Sequence, residues 1–168
     1  MITAQNQCNQ AAVSAIHPER QSQIDEIIAA LTRHLPTLPR LPWVPSHGTF
    51  KLNHLMSDGG PLSLLDFDSM TAADPLFDVA NFTSDVYYLE AQGDLPAGGA
   101  AALAGALQEA YFAAVPWGRR QRVLDWYVAS LLLRKQAYKT VKHLHGDAVA
   151  KISTVVQEAL RRTRRLDS

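Results

Sequence analysis

The sequence predicts a mainly α fold with a small β-hairpin. Three observations carry this. Apolar residues recur at helical spacing in several stretches that Pro and Gly interrupt. Asp58-Gly59-Gly60 stands between two short apolar runs, which is a hairpin signal. Residues 36–46, PTLPRLPWVPS, hold four prolines and read as an extended strap ahead of that hairpin.

In chain order, residues 1–18 are polar and Ala-rich and read as a loose helix or tail. Ile24, Ile27, Ile28 and Leu31 recur at helical spacing and predict a helix over 19–35, which Pro36 stops. In the strap, Trp43 and Val44 are expected to pin the chain to the core. Residues 50–65 predict the hairpin, with Leu55 and Met56 on one strand and Leu62, Leu64 and Leu65 on the other. That strand would end at Asp66. Asp66 and Asp68 would then point the same way, ~6.6 Å apart along an extended chain. After Pro75 the pattern is helical, over 76–89, 98–115 and 118–145, with Val123, Trp126, Tyr127, Leu131, Leu133 and Ala137 inward. Asp147 is placed to cap a last helix running to about Leu166.

A length of 168 residues permits one domain with a real core. The 16 Lys+Arg balance 16 Asp+Glu, so no overall field draws the chain to nucleic acid or to a membrane. Most basic residues follow Gly118 and most acidic ones precede it, a pattern expected of solvated helix faces. Cys8 is the single cysteine, which excludes a disulfide framework and fits a cytoplasmic compartment. No apolar run is long enough to span a bilayer, and residues 1–18 lack the pattern of a signal peptide.

The chemistry concentrates between His47 and Phe82. His47-Gly48-Thr49-Phe50-Lys51 is a polar loop, Asp66-Phe67-Asp68 closes a short apolar run, and Asp74-Pro75-Leu76-Phe77-Asp78 opens a helix. This stretch resembles the catalytic centre of the aminoglycoside phosphotransferase and choline kinase-like family, distant relatives of protein kinases. That family reads roughly H-G-D-x-x-x-x-N, then a hairpin, then D-[FW]-[DEG], then G-D-P-x-x-D-[LV]-A. His47, Gly48, Asp66, Asp68, Asp74, Pro75, Asp78 and Ala80 fall on this pattern in order and at matching spacing.

The resemblance implies the C-terminal, substrate lobe of the protein kinase-like phosphotransferase fold. It divides the chain into residues 1–46, a helical segment with the strap, and residues 47–168, the lobe with its catalytic-loop hairpin and helical bundle. It implies ATP and Mg²⁺ as cofactors. By the same resemblance, His47 orients the loop, Lys51 touches the transferred phosphate, and Asp66 holds the metal with help from Asp68. Asp78 binds the loop backbone from inside the core, and Asp74 starts the helix.

Two positions depart from the family pattern. Thr49 stands where the family has its catalytic Asp, and a hydroxyl cannot accept a proton near neutral pH as a carboxylate can. His54 stands where the family has a metal-binding Asn, and imidazole suits Mg²⁺ poorly. The residues ahead of His47 carry no Gly-rich loop and no V-A-x-K pattern, so the nucleotide-covering N-lobe is expected to lie outside this sequence, to have been lost from the gene, or to come from another chain. The expected function is a small-molecule kinase C-lobe, a truncated pseudokinase with little or no transfer activity alone. The alternatives are a non-catalytic helical interaction module and a fragment of a competent kinase. Aminoglycoside, choline, homoserine and sugar kinases share these motifs, so they do not specify the acceptor. The surface that an N-lobe would cover is expected to bind a separate N-lobe or a second copy in a homodimer. Leu38, Leu41, Trp43 and Val44 are the exposed contacts anticipated there, with Val13 and Ile16 from the N-terminal segment.

Overall fold

A computed structural model describes residues 18–137, 139 and 148–167. The N-terminal tail with Val13 and Ile16, and the Asp147 cap, lie outside the described residues. The order is α1 (Gln21–His34), β1 (Val44–Ser46), β2 (Leu55–Met56), β3 (Ser63–Leu64), β4 (Thr71–Ala73), α2 (Leu76–Gln92), α3 (Gly99–Ala114), α4 (Gln121–Leu131) and α5 (Ala148–Arg164). Short 3₁₀ turns at Leu52–His54 and Phe67–Ser69 bracket the hairpin, and α4 runs on into a π-helical turn at Leu132–Ala137. No helix among the described residues is long and apolar enough to cross a membrane.

α2 is the central element. Leu76, Val79 and Ala80 enter the main core, which α1, α4 and α5 complete with Ile24, Leu124 and Val156. Phe82 and Val86 face a second cluster with Ala100 and Ala104 of α3, against which Phe50 and Leu52 pack. α2 ends at Gly93, whose φ of 87° only a glycine adopts cheaply, and the Asp94 amide closes the end by donating to Leu89 O at 2.9 Å. Glu90 then accepts the Ala100 amide at 2.8 Å, which ties the start of α3 to the end of α2.

The β structure differs from the sequence expectation in three ways. The hairpin is much shorter, pairing only Leu55 with Leu64 and Met56 with Ser63, because the chain leaves extended geometry at the two 3₁₀ turns. A second antiparallel pair, Val44–Ser46 with Thr71–Ala73, was not anticipated; it brings the end of the strap beside the chain that enters α2. Asp66 is not in a strand. Its φ of 67° and ψ of 59° are left-handed, and a 3₁₀ turn follows at once, so the two-residue periodicity expected for Asp66 and Asp68 does not apply.

The strap also departs from expectation. Trp43 is 76% exposed and pins nothing. Leu38 and Leu41 pack against the core instead, so they are not the exposed contacts anticipated for a partner. Leu38, Leu41 and Val44 are half-buried while the residues between them are exposed. That three-residue period is the period of polyproline II, which the prolines impose.

One buried ionic cluster joins α4 to α5. Arg162 lies 2.6 Å from Asp125 and 2.7 Å from Glu158, and all three are buried. Removing one partner would leave a buried charge without its counter-charge. Asp125→Ala should therefore cost about 3 kcal/mol. The exposed Arg164–Glu26 pair, at 3.2 Å, should matter far less, with Glu26→Ala costing about 1 kcal/mol or under. Urea denaturation of the two variants checks the ranking.

Candidate functional site

The loop that leaves β1 is held by its backbone. Asp78, in the first turn of α2, accepts the His47 amide at 2.6 Å and the Gly48 amide at 2.9 Å. Asn81, one turn on, donates to Gly48 O at 3.4 Å and to Phe77 O at 3.2 Å. Lys135 Nζ, from the π-helical turn, donates to Asn81 Oδ1 at 3.1 Å. Gly48 has φ 85°, and a Cβ there would overlap the Ser69 carbonyl oxygen. The loop and the Phe67–Ser69 turn are therefore in direct backbone contact. Asp78 is only half-buried, less than the full burial expected, because it lines an open cavity on the far side of His47.

His47 joins the loop to the chain around Asp66. Its Nε2–H donates to Leu65 O at 2.8 Å, and its ring lies 5.1 Å from Phe67 and 5.2 Å from His54. His54 O accepts the Leu65 amide at 2.9 Å. His54 Nε2 is 2.9 Å from Asp66 Oδ2, so the two positions implied as metal ligands bond to each other. His54 is enclosed while the Asp66 side chain is half-exposed. Burial, then the nearby Lys51 charge, hold the His54 pKa below its ordinary value, against the pull of Asp66. Asp66 is the one residue other than glycine with positive φ among the described residues. Such a conformation costs of order 1 kcal/mol and needs surrounding contacts to persist.

The remaining positions are more open. Thr49 is half-buried, and its hydroxyl has no hydrogen-bond partner among the described residues. Lys51 is half-buried beside His54 and Lys135, and its charge disfavours protonation of both. Burial is the larger cause of the lowered Lys135 pKa, and Asp85 opposes it. Asp68 is exposed on the 3₁₀ turn. Asp74 accepts the Leu76 amide at 2.9 Å and so caps α2, and burial raises its pKa. No group of three or more His, Cys, Asp or Glu among the described residues could hold a metal ion.

Asn81, Asp85 and Lys135 were missed from the sequence. Asp85 is buried and lies 3.4 Å from the Leu52 amide. A signal existed: Asp78, Asn81 and Asp85 are three and four residues apart on the helix, which puts all three on one face. The open cavity, about 440 Å³, is lined by His47, Phe67, Met70, Val79, Leu107 and Tyr111 among others. His47 and Asp78 also belong to the polar centre, whereas Thr49, Lys51 and Asp66 do not line the cavity, so the cavity adjoins the centre on one side only.

A family model described as "Phosphotransferase enzyme family" matches residues 3–126, from the N-terminal segment to the middle of α4. No curated protein and no solved structure matches the chain.

The geometry ranks two aspartates. Asp78→Asn turns one amide toward another and leaves a loop donor unpaired, at about 2 kcal/mol. Asp66→Asn keeps an oxygen for His54 and a residue that tolerates the left-handed region, so it should cost about 1 kcal/mol or less. Chemical denaturation of the two variants gives the order; the reverse would mean that Asp66, not Asp78, is the structural residue.

Proposed function

The chain belongs to the phosphotransferase enzyme family, and on that premise we propose that it is a substrate lobe of a small-molecule kinase fold with little or no ATP-dependent transfer to an alcohol on its own. Phosphotransferases of this family use ATP and Mg²⁺. The observation that carries the reading is Thr49. It stands where the family pattern has a carboxylate, on a loop whose backbone is firmly held. The scaffold for orienting an acceptor hydroxyl is in place, but the group that would accept its proton is not. General base catalysis contributes typically ~10²–10⁴-fold. The loose transition state of phosphoryl transfer needs little deprotonation, but it still needs the acceptor and the phosphate positioned together. Lys51 would be the phosphate contact. Cys8 as the single cysteine supports a cytoplasmic setting.

ADP release, measured over aminoglycosides, choline, homoserine and simple sugars, tests this. Background rates are expected for the wild-type chain. Turnover near the ~1–100 s⁻¹ of active kinases would overturn it. Thr49→Asp should also stay at background, because His54 still engages the Asp66 carboxylate. Acceptor-dependent ADP release by that single variant would show that Thr49 alone silences the centre.

A second reading, a protein-interaction module, is favoured by where apolar surface is left. Of seven large apolar side chains exposed among the described residues, six lie between Trp43 and Met70, on the two strand pairs and their connections. Leu62 is 70% exposed, and Phe67 and Met70 follow within eight residues. Surface of this kind on one short segment favours a partner, and a second copy about a two-fold axis is the commonest one. Sedimentation velocity at micromolar concentration should give a dimer that Trp43→Ser/Leu62→Ser dissociates. A wild-type monomer would remove this reading.

A further inference from the structure

The family's metal is the first group to test against these residues. Its two positions are Asp66 and His54, and their 2.9 Å separation is also about what neighbouring ligands on one octahedral Mg²⁺ would show. Distance therefore does not decide the matter. Donor chemistry does. Mg²⁺ takes hard oxygen ligands, and this pair offers one carboxylate and one imidazole.

The second imidazole nitrogen gives the stronger argument. A histidine that binds a metal through Nε2 carries its proton on Nδ1. It almost always donates that proton to a carboxylate, a carbonyl or water. His54 Nδ1 is buried and has no hydrogen-bond partner among the described residues. A proton there would be an orphaned buried donor, which is rare and costly. Placing the proton on Nε2 leaves Nδ1 with only a lone pair and gives Asp66 its hydrogen bond. His47 next to it shows the same arrangement, with Nε2–H donating to Leu65 O and Nδ1 buried without a partner.

We propose that the His54–Asp66 hydrogen bond replaces the divalent cation. The imidazole N–H holds the Asp66 carboxylate and with it the left-handed turn, and the position does not take a metal. Mg²⁺ does not fit these residues. What the cation would do for structure is done by a neutral side chain that His54 O and Leu65 N fix in place through the backbone. The metal-free turn then keeps the Ser69 carbonyl against Gly48, so the loop is ordered without nucleotide or ion. This rests on the family assignment and on the geometry of the pair, not on the transfer reading. A metal titration without nucleotide can fail or succeed whatever ADP release shows.

The test is Mn²⁺ binding to the full chain, followed by electron paramagnetic resonance of free Mn²⁺. Wild type should show no binding that depends on Asp66. His54→Asn, which restores the family's donor pair, should raise Mn²⁺ affinity by about tenfold or more. Adding Asp66→Asn to that variant should abolish the gain. Asp66-dependent binding of Mn²⁺ or Zn²⁺ to wild type, or no gain in His54→Asn, would overturn the proposal. Nitrogen NMR of the wild-type imidazoles needs no variant to fold. His54 protonated on Nε2 and bare at Nδ1, unchanged by added Mg²⁺, is the expected state. A proton on Nδ1 would overturn the proposal as surely.

Discussion

Asp78 accepts two consecutive loop amides from the first turn of α2, and these bonds set where the chain after β1 can lie. The carboxylate is well placed for this. It sits at the positive end of the helix dipole, and it faces amides that no strand or helix would otherwise satisfy. Asn81 and Asp85 extend the same stripe, so one side of a buried helix carries three polar residues. Such a stripe is costly in a core unless each group finds a partner. The loop backbone and Lys135 are those partners. Helix and loop therefore need each other: without the loop α2 would bury unpaired carboxylates, and without α2 the loop would have unpaired amides.

From this anchor the order passes outward through backbone contacts. Gly48 meets the Ser69 carbonyl where no side chain would fit. His47 reaches the Leu65 carbonyl, and His54 pairs with the Leu65 amide from the other side. The residue that follows, Asp66, is thereby forced into a left-handed conformation that its own preferences resist. β1 pairs with β4 at the same place, so entry to the loop and exit from the turn are fixed together. Short strands suffice because each is tied to a neighbour that α2 already holds.

Much of this was legible in the sequence, and what was not has physical causes. The helices were readable because each buries one face, and the first three end at or close before a Pro or Gly. α1 stops at the turn around Pro36, and α2 stops at Gly93. The Asp58-Gly59-Gly60 turn marked the hairpin, but its length did not follow, because two-residue strands leave almost no period to read. Pairing of β1 with β4 was hidden by Pro45, which makes a poor strand residue except on an edge, and this sheet has only edges. The strap was read as extended with Trp43 and Val44 as its anchors, whereas proline gives a period of three, and Leu38, Leu41 and Val44 follow it. Asp85 escaped because a carboxylate on an apolar helix reads as its solvent face unless the loop above it is already known.

The positions that match the family pattern and the positions that depart from it do different physical work. Asp78 and Gly48 act on backbone, through amides and a close carbonyl approach that any loop sequence would present. Thr49 can therefore replace a carboxylate without disturbing the loop, since nothing holding the loop passes through that side chain. His54 is different, because it replaces one structural contact with another. An Asn facing Asp66 offers both an amide N–H for the carboxylate and an oxygen for a cation. An imidazole N–H needs only the carboxylate, and its ring also fills the space beside His47. The two departures thus have opposite effects. One removes a chemical group and leaves the scaffold unchanged. The other adds a contact to the scaffold, the imidazole N–H on the Asp66 carboxylate, which is the proposed stand-in for the metal.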